Sequence, residues 1–368
     1  MSTVGDSTAP STNTIYYDAL LSTTLNNYSK TMYDNIFKDS AFLTYLRMSD
    51  AIIKQNGGER AQLPLMYEKN STVKTHGGYD VIDTTPQDGL TSAFYEWAEV
   101  AGSISISRKE ERQNSGEGRL LNLLEQKIKQ AEMSMREELN SQLILGTVSG
   151  ATFVQNTSLG GTYGLNPMGY FLRKLNATDP TTNSVGNISN ASHDWWRHHT
   201  GFVNNQTPTG YDFSLNISSY AGLQAALKRM YNFCSRGSGG SPDLCVADQV
   251  TFETYENALD TKVRYTNTKM ADMGFDNIKL RGATLIWDEK VPDIYTGTAA
   301  IAVGTCFFVN TNFYKLMIDS ETDIVTTPFV EPENQTAKTA KVLFMGQACV
   351  SNLRKHGVVG GVLQTISS

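Results

Sequence analysis

The sequence predicts an α+β fold, and three observations predict it. Glu117 to Leu145 contains no Pro or Gly, and it spaces Leu121, Leu124, Ile128, Ala131, Met135, Leu139 and Leu143 three or four residues apart. That is one apolar stripe of an amphipathic helix. Earlier in the chain, Leu63, Leu65 and Tyr67 alternate with polar residues, and so do Val100, Gly102, Ile104 and Ile106, as half-buried strands do. Later, strand-like segments dominate without the regular helix–strand alternation of a doubly wound sheet.

Taken in order, the chain opens with a polar Ser/Thr-containing stretch. From Ile15 to Lys54 the residues Leu20, Leu21, Leu25, Met32, Ile36, Phe37, Phe42, Leu46 and Ile52 then recur at loosely helical spacing. This predicts an arm of short helices that cannot form a core alone. Gly57-Gly58 breaks the pattern. Between the two alternating segments runs a long polar stretch with Gly77-Gly78, Pro86 and Gly89. An extended two-stranded loop of this kind is marginal alone in water and should lean on a partner. The helix from Glu117 to Leu145 has polar caps in Ser115 and Glu117 and a natural stop at Gly146. At 1.5 Å per residue it would run roughly 40 Å.

Residues 147–214, rich in Gly, Asn and Thr, read as irregular. A second helix is expected over Ile217–Cys234, with Leu223, Leu227 and Met230 on one face and Gly237, Gly239 and Gly240 after it. Strands are expected at Leu244–Phe252, Ile278–Trp287, Thr305–Val309, Phe313–Ile318 and Lys341–Val350.

Composition narrows the function. The chain has 368 residues, 40% hydrophobic and 18% charged, with a formal charge of −6. It can bury a substantial core, and its acidity argues against broad nucleic-acid binding, though not against enclosing nucleic acid. No apolar run approaches the roughly 20 residues of a membrane span, and the first thirty residues lack a signal pattern. No membrane partner is expected. Cys234, Cys245, Cys306 and Cys349 are spaced as free buried thiols rather than a disulfide framework.

A search for chemistry returns nothing catalytic. Gly116-Glu117-Gly118 lacks the third glycine of a dinucleotide loop and puts an acid where phosphate should lie. There is no phosphate-binding Walker loop and no Gly-x-Ser-x-Gly elbow. In His193-Asp194-Trp195-Trp196-Arg197-His198-His199, the residues His193, His198 and His199 could ligate zinc. The preferred reading is a Trp-anchored loop with histidines at its polar edge. Glu110-Glu111 and Glu137-Glu138 lie among Arg108, Lys109, Arg112 and Arg136, which suits ion pairs better than a general acid and base. Glu110 and Glu111 should lie where a strand gives way to a loop. Lys127, Lys129 and the basic residues around Arg264 are too sparse for a nucleic-acid footprint. No catalytic residue, cofactor or metal site is expected.

The order of parts and several local phrases resemble the tailed-phage major capsid fold of the Hong Kong 97 type. The phrases are Ser103-Ile104-Ser105-Ile106-Ser107 running into the long helix, Phe275-Asp276-Asn277-Ile278-Lys279-Leu280-Arg281-Gly282, and Phe308-Val309-Asn310-Thr311-Asn312-Phe313. Trp195-Trp196, and Asn334-Gln335-Thr336-Ala337 leading to Gly346-Gln347, join them. The resemblance implies an N-terminal arm at 1–56 and an extended β-hairpin loop at 57–99. It implies a peripheral domain at 100–217 and 336–368 with spine helix 117–145, and an axial domain at 218–335. Asp260–Gly274 would approach the five-fold and six-fold axes. The chain would be a major capsid protein, not an enzyme, assembling through pentamers and hexamers into an icosahedral head around double-stranded DNA. Its expected partners are copies of itself, a separate scaffolding protein, a portal and a decoration protein. The expected location is the virion, after synthesis in the host cytoplasm. Glu59, Arg60, Lys69, Lys74, Glu110, Glu111 and Arg112 are candidates for intersubunit contact. No Lys–Asn cross-link is expected, although Lys69, Asn70 and Lys74 lie in the loop. The alternatives are a tail-tube or baseplate component, which a long continuous helix disfavours, and a metal-dependent hydrolase.

Overall fold

The computed structural model describes residues 40–113, 123–144, 164–172, 184–190, 192–202, 213–214, 220–259, 277–291, 304–332 and 336–362. Helix α1 (Ala41–Met48) leads to strands β1 (Ile52–Gln55), β2 (Ala61–Met66), β3 (Leu90–Tyr95) and β4 (Ala98–Ser107). Helices α2 (Arg108–Gln113), α3 (Leu123–Ile144) and α4 (Met168–Phe171) follow. The short strands β5 (Ser184–Val185) and β6 (Ile188–Ser189), a 3₁₀ turn at Asp194–Trp196, β7 (His199–Phe202) and β8 (Phe213–Ser214) come next. Then come α5 (Tyr220–Cys234), β9 (Leu244–Ala247), α6 (Gln249–Leu259), β10 (Asn277–Leu280) and β11 (Ala283–Trp287). Strands β12 (Gly304–Val309), β13 (Tyr314–Asp319), β14 (Val325–Thr326), β15 (Ala337–Val350) and β16 (Gly357–Val362) complete the series.

The chain divides into two compact units. The smaller one includes residues 102–134 and 326–342. Within it the main-chain N–H of Arg108 donates to Thr336 O, and Thr339 and Val330 exchange N–H···O bonds. The larger unit holds residues 38–101, 135–325 and 343–368. Its main sheet has seven strands in the order β10-β11-β9-β12-β16-β7-β8. Strands β9 and β12 are buried at every position, as central strands covered on both faces must be. Leu223, Leu227 and Met230 of α5 and Phe252 and Tyr255 of α6 pack on Ile278, Leu285, Cys306, Phe308 and Val359 of this sheet. A second sheet runs β1-β13-β15-β14, with β4 also paired to β15; β1 joins β13 in parallel.

Several sequence expectations change here. Leu244–Phe252 is a strand only to Ala247, after which the chain turns into α6. Asp248 makes the turn: its carboxylate accepts the N–H of Thr251 and that of Thr305 on β12. Ile278–Trp287 is a hairpin rather than one strand. Arg281, at φ +55°, and Gly282 form its two-residue turn. Glu110 and Glu111 sit in helix α2, not in a loop. Ser107 Oγ accepts the N–H of Glu110, and Glu110 Oε2 accepts the N–H of Ser107, a reciprocal cap.

Residues 147–214 are not uniformly irregular, because Tyr170, Phe171 and Trp196 are fully buried and β7 belongs to the main sheet. The long helix is seen from Leu123 to Ile144, and the second from Tyr220 to Cys234. Residues 1–39, 114–122, 145 and 217–219 lie outside the described residues, as does the whole expected axial loop Asp260–Gly274. Of the expected N-terminal arm, Phe42 and Leu46 are fully buried within this chain, and the hydroxyl of Tyr45 donates to Asp243 O.

Candidate assembly surface

The segment 57–99 has a fastened base and an exposed tip. Strands β2 and β3 pair antiparallel from Ala61↔Tyr95 to Met66↔Leu90. Alternation turns Ala61, Leu65, Ala93 and Tyr95 inward. The base is tied down by directional bonds. Tyr95 OH donates to Val350 O (2.8 Å), Phe94 N to Gly186 O (3.1 Å), and Trp97 Nε1 to Gly58 O (2.8 Å). Gly186 has φ +59°, and a Cβ there would meet Ala93 Cβ at 2.9 Å, so the β5–β6 turn can approach β3 only with glycine.

A stack of aromatic rings completes the clamp. Tyr67 lies on Trp195, with ring centroids 5.1 Å apart and planes 20° apart. Trp195 is held by its neighbour Trp196, which is buried and donates from Nε1 to Val185 O at 2.9 Å. Beyond the stack, Tyr67 OH reaches Asp88 O and Ser71 Oγ reaches Gln87 Oε1, both at 2.8 Å. Past those bonds the tip is shaped by its own side chains. Asn70 Oδ1 accepts the N–H of Thr72, Asp83 Oδ1 that of Thr85, and Asp80 Oδ2 that of Gly77.

This tip displays apolar side chains to solvent. Met66, Val73, Tyr79, Val81, Ile82 and Leu90 are exposed by 62% (Ile82) to 105% (Tyr79). Elsewhere among the described residues the exposed large apolar side chains are only Ile53, Val325 and Val330. Burying one Val or Ile side chain stabilises by about 1.5–3 kcal/mol, so the tip is a surface that gains by being covered.

The charged candidates divide. Arg60 lies 3.5 Å from Glu96 and 3.9 Å from the exposed Glu59. Lys69 and Lys74 are exposed on the tip. Glu110 pairs with Lys127 at 3.2 Å. Desolvation opposes its ionisation, but the Ser107 N–H and the Lys127 ammonium outweigh that and hold its carboxyl below the ordinary range. Glu111 takes Lys338 at 2.8 Å, and that hydrogen bond depresses its pKa. Arg112 is exposed on α2. The apolar tip residues were not picked out from the sequence; their signal was a Tyr-Asp-Val-Ile run in an otherwise polar, Gly-flanked segment.

The histidine segment forms the Trp-anchored turn. His193 leans on Trp195, Arg197 pairs with Asp194, and His199 begins β7. Among the described residues no group of three His, Cys, Asp or Glu side chains could hold a metal, and no helix is long and apolar enough to cross a membrane.

The fold and loop place the chain in a structural class: it has the fold of the subunits that build phage capsids and encapsulin shells. The capsid subunit of cyanophage A-1(L) superposes with a TM-score of 0.66 at 14% identity, over 92% of this chain and 96% of that one. The capsid of the Myoviridae phage XM1 gives 0.55 at 11% identity, over 91% and 96%. The SrpI encapsulin of Synechococcus elongatus PCC 7942 gives 0.51 at 12% identity, over 91% and 94%. No family profile matches the sequence, and no curated protein matches it.

Proposed function

We propose that this chain is the major capsid protein of a tailed phage, a structural subunit that assembles through pentamers and hexamers into an icosahedral head around double-stranded DNA. One observation carries the reading beyond the fold: an apolar tip held out on a clamped base. A lone enzyme has no use for such an arm, whereas a repeated subunit gains by laying it on its neighbour. In this reading 1–56 is the N-terminal arm, 57–99 the extended loop, 100–217 with 336–368 the peripheral domain, and 218–335 the axial domain. The main sheet takes β7, β8 and β16 from outside the last of these ranges. Lys69, Lys74, Glu59 and Arg60 set register against the neighbouring copy, and Arg112, Glu110 and Glu111 contribute from α2. A scaffolding protein, a portal and a decoration protein complete the assembly, which is made in the host cytoplasm and ends in the virion.

The test is electron microscopy with light scattering on the purified chain, with and without its neighbouring genes. Closed shells, or rings of five and six, are expected. The double variant Val81→Ser/Ile82→Ser should keep the wild-type circular dichroism and fail to close shells. A wild-type chain that stays monomeric under every condition sinks the reading.

A further inference from the structure

The chain is acidic overall, yet two neighbouring elements carry positive charge alone. Helix α5 exposes Lys228, Arg229 and Asn232 at helical spacing, and Arg236 follows in the next turn. The β10–β11 hairpin adds exposed Lys279 and Arg281. The two elements are joined, since Arg281 Nη1 donates to Asn232 Oδ1 and its guanidinium lies 5.9 Å from the Tyr231 ring centre. Neither α5, β10 nor β11 contains an Asp or Glu, nor does the turn between the two strands. The adjoining helix α6 carries Glu253 and Glu256. It meets α5 near its start, where Gln224 Nε2 donates to Ala258 O, and Gln249 donates to Glu253.

The aromatic rings give this patch its form. Arg236 stacks on Phe233 at 4.1 Å from the ring centre, and Arg229 lies over the same ring at 5.9 Å. A guanidinium resting on a ring loses rotamer freedom but keeps its in-plane N–H fork, the geometry that grips a phosphate. The helix dipole favours a cation near the end of α5 by about 0.3–1 kcal/mol, which accounts for Arg236 but not for Lys279 or Arg281 on a different element.

From this arrangement we propose that α5 and the β10–β11 turn form the surface that touches enclosed nucleic acid, binding duplex phosphates without reading base sequence. The proposal rests on the shell reading, and it assigns the patch to the inner face. Phosphate contact suits a patch of fixed guanidinium forks and mobile lysines, and no base-reading side chain is needed.

The test uses the full chain as free subunits and a fluorescent 25-base-pair duplex, with anisotropy followed as salt is raised. Each phosphate contact contributes about 0.9 to the slope of log K against log salt. The triple variant Lys228→Ala/Arg236→Ala/Lys279→Ala should flatten that slope by about 2–3 and weaken binding at least tenfold. A control, Lys129→Ala/Lys341→Ala, removes like charge from exposed positions outside both the patch and the loop and should leave binding near wild type. A peptide of residues 79–88, the acidic tip of this chain, serves as the competing probe. Overturning results are no salt-dependent duplex binding, an equal loss in the control variant, or triple-variant sensitivity seen for the peptide but not for the duplex. Shell formation scored separately on the same preparation separates the two ideas. Subunits that bind no duplex while unassembled and yet close into shells remove the patch and keep the capsid; subunits that bind duplex and never close do the reverse.

Discussion

At the residue scale, His356 shows how burial sets a pH limit. It is 1% exposed, and its Nδ1 accepts the main-chain N–H of Asn310 at 3.2 Å, which requires a neutral ring. Desolvation, with His198 nearby as a second cause, pushes its pKa down to about 3. In the unfolded chain a histidine protonates near 6.5, so between these values the unfolded state holds more protons. The stability that the neutral ring contributes is therefore present above about pH 6.5 and is lost as pH falls towards 3, by up to about 1.4 kcal/mol per unit. Urea titrations at pH 7.5, 6 and 5 should show that decline, and His356→Asn, which keeps an acceptor near Nδ1, should flatten it. A slope unchanged in the variant would remove His356 as the cause. None of this was legible in Lys355-His356-Gly357, because the burial comes from strands far away in sequence. By contrast, the Ser107–Glu110 cap was legible as Ser-x-x-Glu and was passed over in favour of a loop.

Elements were readable where one period dominated. Leu139 and Leu143 of the long helix, and Leu223, Leu227 and Met230 of α5, fall on buried faces as their spacing predicts. Helix α6 was missed because Val250, Thr251, Phe252 and Tyr255 are β-branched or aromatic and continue the apolar run of β9. Tertiary context overrides that propensity: Asp248, fully buried, caps the helix and also holds the N–H of Thr305 at 2.8 Å. Replacing Asp248 by Ala leaves both donors unpaired and should cost about 2–4 kcal/mol. The urea midpoint should fall with little change in slope, and Asn at this position should restore part of the loss. The hairpin loop was legible as a long polar insertion, but its role was not. Tyr79, Val81 and Ile82 matter because none of the described residues covers them, and burial is set by the fold rather than by local sequence.

For the whole molecule, assembly and stability become one property if neighbours cover the loop. Lys69 and Lys74 stand exposed on that loop and offer trypsin two cuts. Free subunits should be nicked there first, whereas closed shells should resist at least tenfold longer while other surface sites are cut at similar rates. Equal nicking in both states would mean that the tip is not an intersubunit contact. The basic surface on α5 and the hairpin was invisible in the sequence for the same reason at larger scale. Lys228 and Arg281 are more than fifty positions apart, and the overall charge of −6 argued the other way.

The strand order of the main sheet also sets a schedule for making the subunit. Strand β16, residues Gly357–Val362, lies between β12 and β7, so β7 and β8 have no sheet to join until residue 362 has left the ribosome. At translation rates of roughly 5–20 residues per second, the 155 positions from Phe202 to Gly357 take about 8–30 seconds. Over the last part of that interval, once β12 at Gly304–Val309 has been made and until Gly357 follows, the nascent chain holds an open sheet edge at β12. Copies growing side by side on one messenger therefore present incomplete sheets, and the finished sheet dates from the emergence of β16.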